Sequence, residues 1–331
     1  MKVTVLGLGM WGFCLARHLA GNGHDVIAWT IEKDLLERLS RGEDHPFLMR
    51  SCQGLPIQLA GSIEEACSST DMIVESVTTK GLRKVLHAIR EVPSALSVPF
   101  VLTSKGLEQE TFLTTPDVFF DVCGQKSLLT MISGPSFAVE VSNHLPTAVV
   151  CGAWEQKACD IVVQAFSSSA FRVYPNLDIR GVALGGSLKN VISIACGIAD
   201  GLGLGVGARA ALVTRGLHEM VKFAVADGCR PETLYGLSGL GDLYLTCSSN
   251  MSRNFRFGQL LSTGLTKVEA EKQIGMIVEG AYTCAAAKEL SHRHNISMPI
   301  VAAVSDIVEG KIPASEAVSL LMQRHVKDER L

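Results

Sequence analysis

The sequence predicts an α/β protein in which a doubly wound, mostly parallel sheet over residues 1–180 is followed by a mostly α-helical domain over 181–331. Three observations lead there. Short β-branched runs alternate with segments of helical length up to residue 180, the rhythm of strand, crossover helix and parallel strand. A glycine-rich turn follows the first of those runs directly. Beyond residue 180 the rhythm changes to long Ala/Leu/Val-rich stretches of helical period, broken by the glycine loops "GLGLGVG" and "GLSGLGD".

In chain order, strands are expected at "KVTVLG", "DVIAW", "DMIVESV", "PFVLTS", "LLTMIS" and "TAVV". Directly after the first comes Gly7-Leu8-Gly9-Met10-Trp11-Gly12, leading into "FCLARHLAGNG", which reads as a helix ending at glycine. One glycine makes the tight turn, the next lets a pyrophosphate approach the backbone, and the third packs helix on strand, with the helix N-terminus facing the phosphates. The motif is widespread as a string, but its place between strand and helix in the first βαβ unit points to a dinucleotide site. At the end of the second strand an acidic residue suits a ribose 2′-hydroxyl, whereas Arg or Lys suits a 2′-phosphate. Here "AWTIEKD" offers Thr30 and Ile31, then Glu32 and Lys33, and both cofactors stay open.

Composition narrows the class. A 331-residue chain with 47% hydrophobic residues fills two cores. A net charge of -3 without a basic cluster gives no reason to expect a nucleic-acid or membrane-surface partner. The ten cysteines show neither Cys-x-x-Cys pairs nor zinc spacing, so no metal site is expected and a reducing, cytoplasmic setting is. No uninterrupted apolar run approaches the roughly 18 residues of a membrane span. The start "MKVTVLGLGMWGFCLARHLA" imitates a secretion signal, but its glycines fit the nucleotide turn and Arg17 and His18 follow at once. The final "QRHVKDERL" reads as a solvated helix end.

Several reactive side chains fall at element ends, where ligand groups gather in such folds. Lys105 in "TSKGLE" and Gly134, Pro135 and Ser136 in "SGPSFA" each follow a strand, at the sheet edge where open α/β folds bind ligands. In "GLGDLYLTC", Asp242 and Thr246 stand four apart and share a face if helical. Ser252 in "SRNFRFGQLL" is a good N-cap, which puts Arg253 and Asn254 in a first helical turn, a natural phosphate receptor. Each has a plainer alternative: Lys105 on the surface, Asp242 in a turn, Arg253 solvated. In "LGGSLKNVISIACGIADG", Leu184, Leu188, Val191, Ala195 and Ile198 form an apolar stripe with Lys189 beside it. That lysine either snorkels its head to water or lies in a cleft. None of the nine histidines has a Ser or Cys partner pattern of a nucleophilic triad.

The ordered blocks "GLGMWGFCLA", "TSKGLE", "SGPSFAVEV", "VALGGSLKNVISIACGIADGLGLG", "TRGLHEM", "GLSGLGDLYLTC", "SRN" and "IVEGAYT" resemble those of the bacterial-type NAD(P)-dependent sn-glycerol-3-phosphate dehydrogenases over almost the whole chain. The resemblance implies a Rossmann-like dinucleotide-binding domain followed by an all-α, 6-phosphogluconate-dehydrogenase-like substrate domain. It implies NAD(P)H as cofactor, interconversion of sn-glycerol 3-phosphate and dihydroxyacetone phosphate, a supply of glycerol 3-phosphate for phospholipid synthesis, and a homodimer as a further expectation. By the same resemblance Lys189 is the general base and acid, with Lys105 and Asp242 completing the reacting centre and Thr246 in support. Gly134, Ser136, Ser252, Arg253 and Asn254 contact substrate. Gly7, Gly9, Met10, Trp11, Gly12, Lys105, Ala138, Arg253, Ile277 and Glu279 line the cofactor. A lysine serves both directions if its pKa falls toward neutrality from about 10.4. Apolar surroundings and a second cation push that way, and a touching Asp242 opposes it. Two departures stand out: Ile31 where bacterial members often carry Arg or His, and Gly207 where Asn is typical.

Overall fold

The computed structural model describes residues 1–124 and 128–325; the part of the expected solvated tail at 326–331 lies outside them. The chain divides into two units, one of residues 1–105 and 115–182 and one of residues 106–114 and 183–331.

Among the described residues, the first unit is built on eight strands: β1 Lys2–Leu6, β2 Asp25–Trp29, β3 Ile57–Leu59, β4 Met72–Glu75, β5 Phe100–Leu102, β6 Leu129–Ser133, β7 Thr147–Ala153 and β8 Phe171–Asn176. Their order is β3-β2-β1-β4-β5-β6-β7-β8. Every neighbouring pair is parallel except β6 with β7. The sheet is therefore doubly wound and mostly parallel, and the strand order reverses between β1 and β4, the position where such sheets bind ligands. Strands β1, β4, β5 and β6 are buried on both faces apart from Lys2, which is why each reads as a continuous apolar run. Two strands escape the sequence reading, and both are sheet edges. β3 is three residues with polar Gln58 at its centre. β8 alternates buried Phe171 and Val173 with exposed Arg172 and Tyr174 and runs through Pro175, a residue that only an edge strand tolerates.

In the second unit the Ala183–Ala199 stretch of the Ile179–Gly201 helix is buried on every side, not only along the expected stripe. The helix is apolar and long enough to cross a membrane, yet its most hydropathic window is wholly buried. Backbone crowding explains part of this burial: a Cβ on Gly197 would lie 2.0 Å from the Phe255 carbonyl oxygen, and one on Gly258 2.2 Å from that of Ile194. The Arg253–Ser262 helix thus lies directly against it. Residues 106–114, expected with the sheet, group instead with the helices. A Leu107–Thr114 antiparallel bridge closes them into a loop, Leu107 and Phe112 join the helical core, and the Arg293 guanidinium sits 4.9 Å over the Phe112 ring. A boundary drawn along the sequence has no means of registering such an excursion.

Glu219 anchors one helix of this unit. Its carboxylate is buried and accepts from Ile300 N at 2.8 Å and Val301 N at 3.1 Å, two N–H groups at the start of the Pro299–Val308 helix that have no intrahelical acceptor. Burial nevertheless raises its pKa from 4.5 to about 7. The folded chain then holds a proton that the unfolded chain has released between those values, so this group's contribution to stability falls as pH rises from 4.5 to about 7 and is flat above. Urea unfolding of Glu219→Gln across that window should show a shallower decline than the parent, by up to about 1.4 kcal/mol per pH unit. Parallel curves would refute the assignment.

Candidate active site

One cluster forms in the first unit around the glycine turn. Gly7 follows β1 with φ +98° and donates its N–H to the Trp29 carbonyl at 2.8 Å. A Cβ at Gly7 would meet the Ser76 carbonyl oxygen at 2.5 Å, and one at Gly12 the Gly7 carbonyl oxygen at 1.9 Å. These contacts leave no room for a side chain, so the turn presents bare backbone. The helix Met10–Gly21 begins there with Gly9 as N-cap and no side-chain cap, the arrangement that receives a pyrophosphate. Met10 and Trp11 are half-buried and pack on the sheet core. The residues present therefore fit a dinucleotide.

The other expected groups of this unit gather at the carboxyl ends of β5 and β6. Lys105 Nζ donates to the Gly134 carbonyl at 3.3 Å, and Ser136 Oγ donates to the same oxygen at 3.1 Å. Ala138 opens the helix Ala138–Ser142, and its carbonyl accepts from Cys14 Sγ at 3.3 Å. Burial pushes the Cys14 thiol up to about 12, so it is a protonated donor. Past β2, Thr30 is buried and its Oγ1 accepts from Glu32 N at 3.2 Å, while Ile31 is 67% exposed. No guanidinium stands at Ile31 for a 2′-phosphate, and no carboxylate replaces it there.

A second cluster lies within the helical unit. Lys189, Asp242 and Thr246 are 7%, 2% and 3% exposed, so the lysine head does not snorkel. Its Nζ donates to Asp242 Oδ1 at 2.6 Å and to Thr246 Oγ1 at 2.8 Å. Asp242 and Thr246 share a face of the short Asp242–Cys247 helix, as their spacing suggests, and Thr246 Oγ1 donates back to the Asp242 carbonyl at 2.6 Å. A single π-helical turn, Leu237–Gly241, precedes Asp242; such wide turns concentrate at functional sites. The adjacent carboxylate stabilises the ammonium form.

The phosphate candidates stand where the N-cap reading puts them. Ser252 Oγ accepts from Phe255 N at 3.2 Å and caps the Arg253–Ser262 helix. Exposed Arg253 donates from Nη1 to the Ile277 carbonyl at 3.1 Å. The Asn254 side chain is engaged inside the protein: its Nδ2 donates to Asn190 Oδ1 and its Oδ1 accepts from Gly280 N, both at 3.0 Å. Ile277 is 40% exposed, and Glu279 leads into the Gly280–Arg293 helix. Gly207 lies exposed in the helix Gly205–Ala226.

Two members of this cluster went unread in the sequence. Ser193 Oγ bonds to the Thr246 carbonyl at 3.0 Å and to Ser252 Oγ at 3.2 Å, joining the lysine pair to the capped helix. Asn190 holds Asn254. Both follow from Lys189 by helical geometry, since i+4 shares its face and i+1 flanks it.

The sequence matches the family described as NAD-dependent glycerol-3-phosphate dehydrogenase twice, its N-terminus over residues 2–159 and its C-terminus over residues 178–319. It is 50% identical to a Protochlamydia amoebophila protein named glycerol-3-phosphate dehydrogenase [NAD(P)+], covering 100% of this chain and 99% of that one. A Chlamydia pneumoniae protein of the same name is 47% identical over 99% of each chain. A crystal structure of glycerol-3-phosphate dehydrogenase from Coxiella burnetii superposes with a TM-score of 0.91 at 35% identity, over 98% of this chain and 99% of that one. With both halves of the family matched in order along one chain, this protein belongs to the NAD-dependent glycerol-3-phosphate dehydrogenase family.

Proposed function

We propose that the chain interconverts sn-glycerol 3-phosphate and dihydroxyacetone phosphate with NAD(P) as hydride carrier, supplying glycerol 3-phosphate for phospholipid synthesis, and that Lys189 moves the proton. The carrying observation is the Lys189 ammonium buried against Asp242 and Thr246. Gly7, Gly9, Met10, Trp11 and Gly12 hold the dinucleotide, with Ala138, Ile277 and Glu279 lining it. When bound, the nicotinamide supplies or accepts the hydride at C2.

Lys189 Nζ gives a proton to the C2 oxygen during reduction and takes it back from the hydroxyl during oxidation. Asp242 keeps that proton on the lysine at rest, which readies it as the acid of the reducing direction. Two of the ammonium N–H groups are directed to Asp242 and Thr246, and this fixes the lone-pair direction once the proton has gone. Lys105, Gly134 and Ser136 orient the substrate. Ser252, Arg253 and Asn254 receive its phosphate, Asn254 through its backbone N–H because its amide is engaged. Binding energy from the phosphate, remote from the reacting carbon, places C2 for transfer.

A cytoplasmic homodimer completes the proposal. Two apolar segments of the helical unit differ in how they could serve a dimer contact: "VSDIVEG" buries Val304 and Val308, whereas "AVSLLMQ" leaves Leu320 and Met322 50% and 81% exposed. The decisive assay incubates the purified chain with dihydroxyacetone phosphate and NADH or NADPH in turn, following loss of the reduced cofactor's absorbance. Turnover is expected with dihydroxyacetone phosphate, and the two arms read cofactor preference. No turnover with either cofactor overturns the proposal.

A further inference from the structure

A fully buried carboxylate stands beside the glycine turn and has no place in the chemistry above. Glu75 is the last residue of β4, level with Leu6 of β1 and Leu102 of β5 in the sheet, and is 0% exposed. Its Oε1 accepts from Val77 N at 2.7 Å; its Oε2 accepts from Ser104 Oγ at 2.9 Å and from Thr103 N at a long 3.4 Å. Its carbonyl accepts from Thr103 N at 3.1 Å and Thr103 Oγ1 at 2.8 Å. One side chain thereby ties the exit of β4 to the exit of β5, and every one of these donors is neutral.

The segment it holds is the one the glycine turn rests on. Ser76 N donates to the Leu6 carbonyl at 2.8 Å. The Cβ that Gly7 lacks would lie 2.5 Å from the Ser76 oxygen and 2.9 Å from Val77 Cγ1, and the one Gly12 lacks would lie 2.9 Å from Ser76 Cβ. A shift of a few tenths of an ångström in Ser76 or Val77 therefore moves the wall of the turn. Burying a carboxylate without a cation is costly, and burial raises this one from 4.5 to about 7. A residue that merely filled this space would be apolar; one that must bridge two chain segments at once needs a polar atom for each.

We propose that Glu75 is a positioning residue, its carboxylate fixing Ser76 and Val77 as the wall against which the Gly7–Gly12 turn closes and so setting dinucleotide affinity. The proposal rests on the reading that this turn binds the dinucleotide. The test measures the NADH dissociation constant by nicotinamide fluorescence for the full chain and three variants, with folding checked by circular dichroism and thermal melting. Glu75→Met fills the volume without accepting, and the constant should rise about tenfold, as unsatisfied buried donors imply. Glu75→Gln keeps an oxygen for Val77 N and offers its amide to Ser104 Oγ, so it should stay within about threefold of the parent. Should Glu75→Met not fold, Glu75→Asp carries the test: one methylene shorter, it cannot span both partners, and affinity should again fall. Lowered melting temperatures with unchanged NADH affinity in Met or Asp would make Glu75 structural only and overturn the proposal. Failure of the parent itself to bind either NADH or NADPH would overturn the dinucleotide reading instead, and this inference with it.

Discussion

Lys189→Ala is expected to lower kcat by roughly 10²- to 10⁴-fold, the usual contribution of a general acid-base group. The variant also takes from Asp242, a carboxylate 2% exposed, its 2.6 Å cationic partner. Removing one member of a buried pair costs about 3–5 kcal/mol, so a fall in activity alone does not separate catalysis from folding. The double variant Lys189→Met with Asp242→Asn makes that separation. It removes the uncompensated negative charge, and its melting temperature should recover toward the parent's while kcat does not. Turnover near the parent value in either variant would refute proton transfer by Lys189.

Gly12→Ala should weaken cofactor binding while leaving helix formation intact. Alanine is a better helix former than glycine by about 1 kcal/mol, and Gly12 lies in the first turn of the Met10–Gly21 helix. Propensity alone thus predicts a more stable protein. The added Cβ would, however, sit 1.9 Å from the Gly7 carbonyl oxygen and 2.9 Å from Ser76 Cβ. Overpacking of this kind costs about 1–3 kcal/mol. Taken up as displacement of the turn, that is a rise of roughly 5- to 150-fold in the NADH dissociation constant. Titration of the variant with NADH gives the answer; affinity equal to the parent's would mean that the turn is not where the dinucleotide binds.

The candidate site was legible wherever local spacing fixes geometry. Asp242 and Thr246 meet because residues four apart share a helical face, and Ser252 caps because its hydroxyl reaches an N–H group three residues on. The glycine turn was legible because a strand on one side and a helix on the other leave few conformations for it. Lys189 marks the limit. Its apolar neighbours allowed two positions for the ammonium, and Asp242 and Thr246, 53 and 57 residues away along the chain, decide between them. Asn254 shows the same limit from the other side: its place in the first turn was readable, but its engagement by Asn190 and Gly280 was not.

By itself the amino-acid order determined the alternation of strands and helices, the glycine turn between the first strand and helix, and the spacing that puts Asp242 with Thr246 and Ser252 at a helix N-cap. These rest on contacts within a few positions, where backbone geometry alone dictates who meets whom. Packing decided the rest: the edge strands β3 and β8, the passage of residues 106–114 to the helical core, the buried ammonium and the oxygens of Glu75 between two strand ends. Each of these depends on partners brought together from distant positions, and burial sets their energies by removing the water that would otherwise satisfy them.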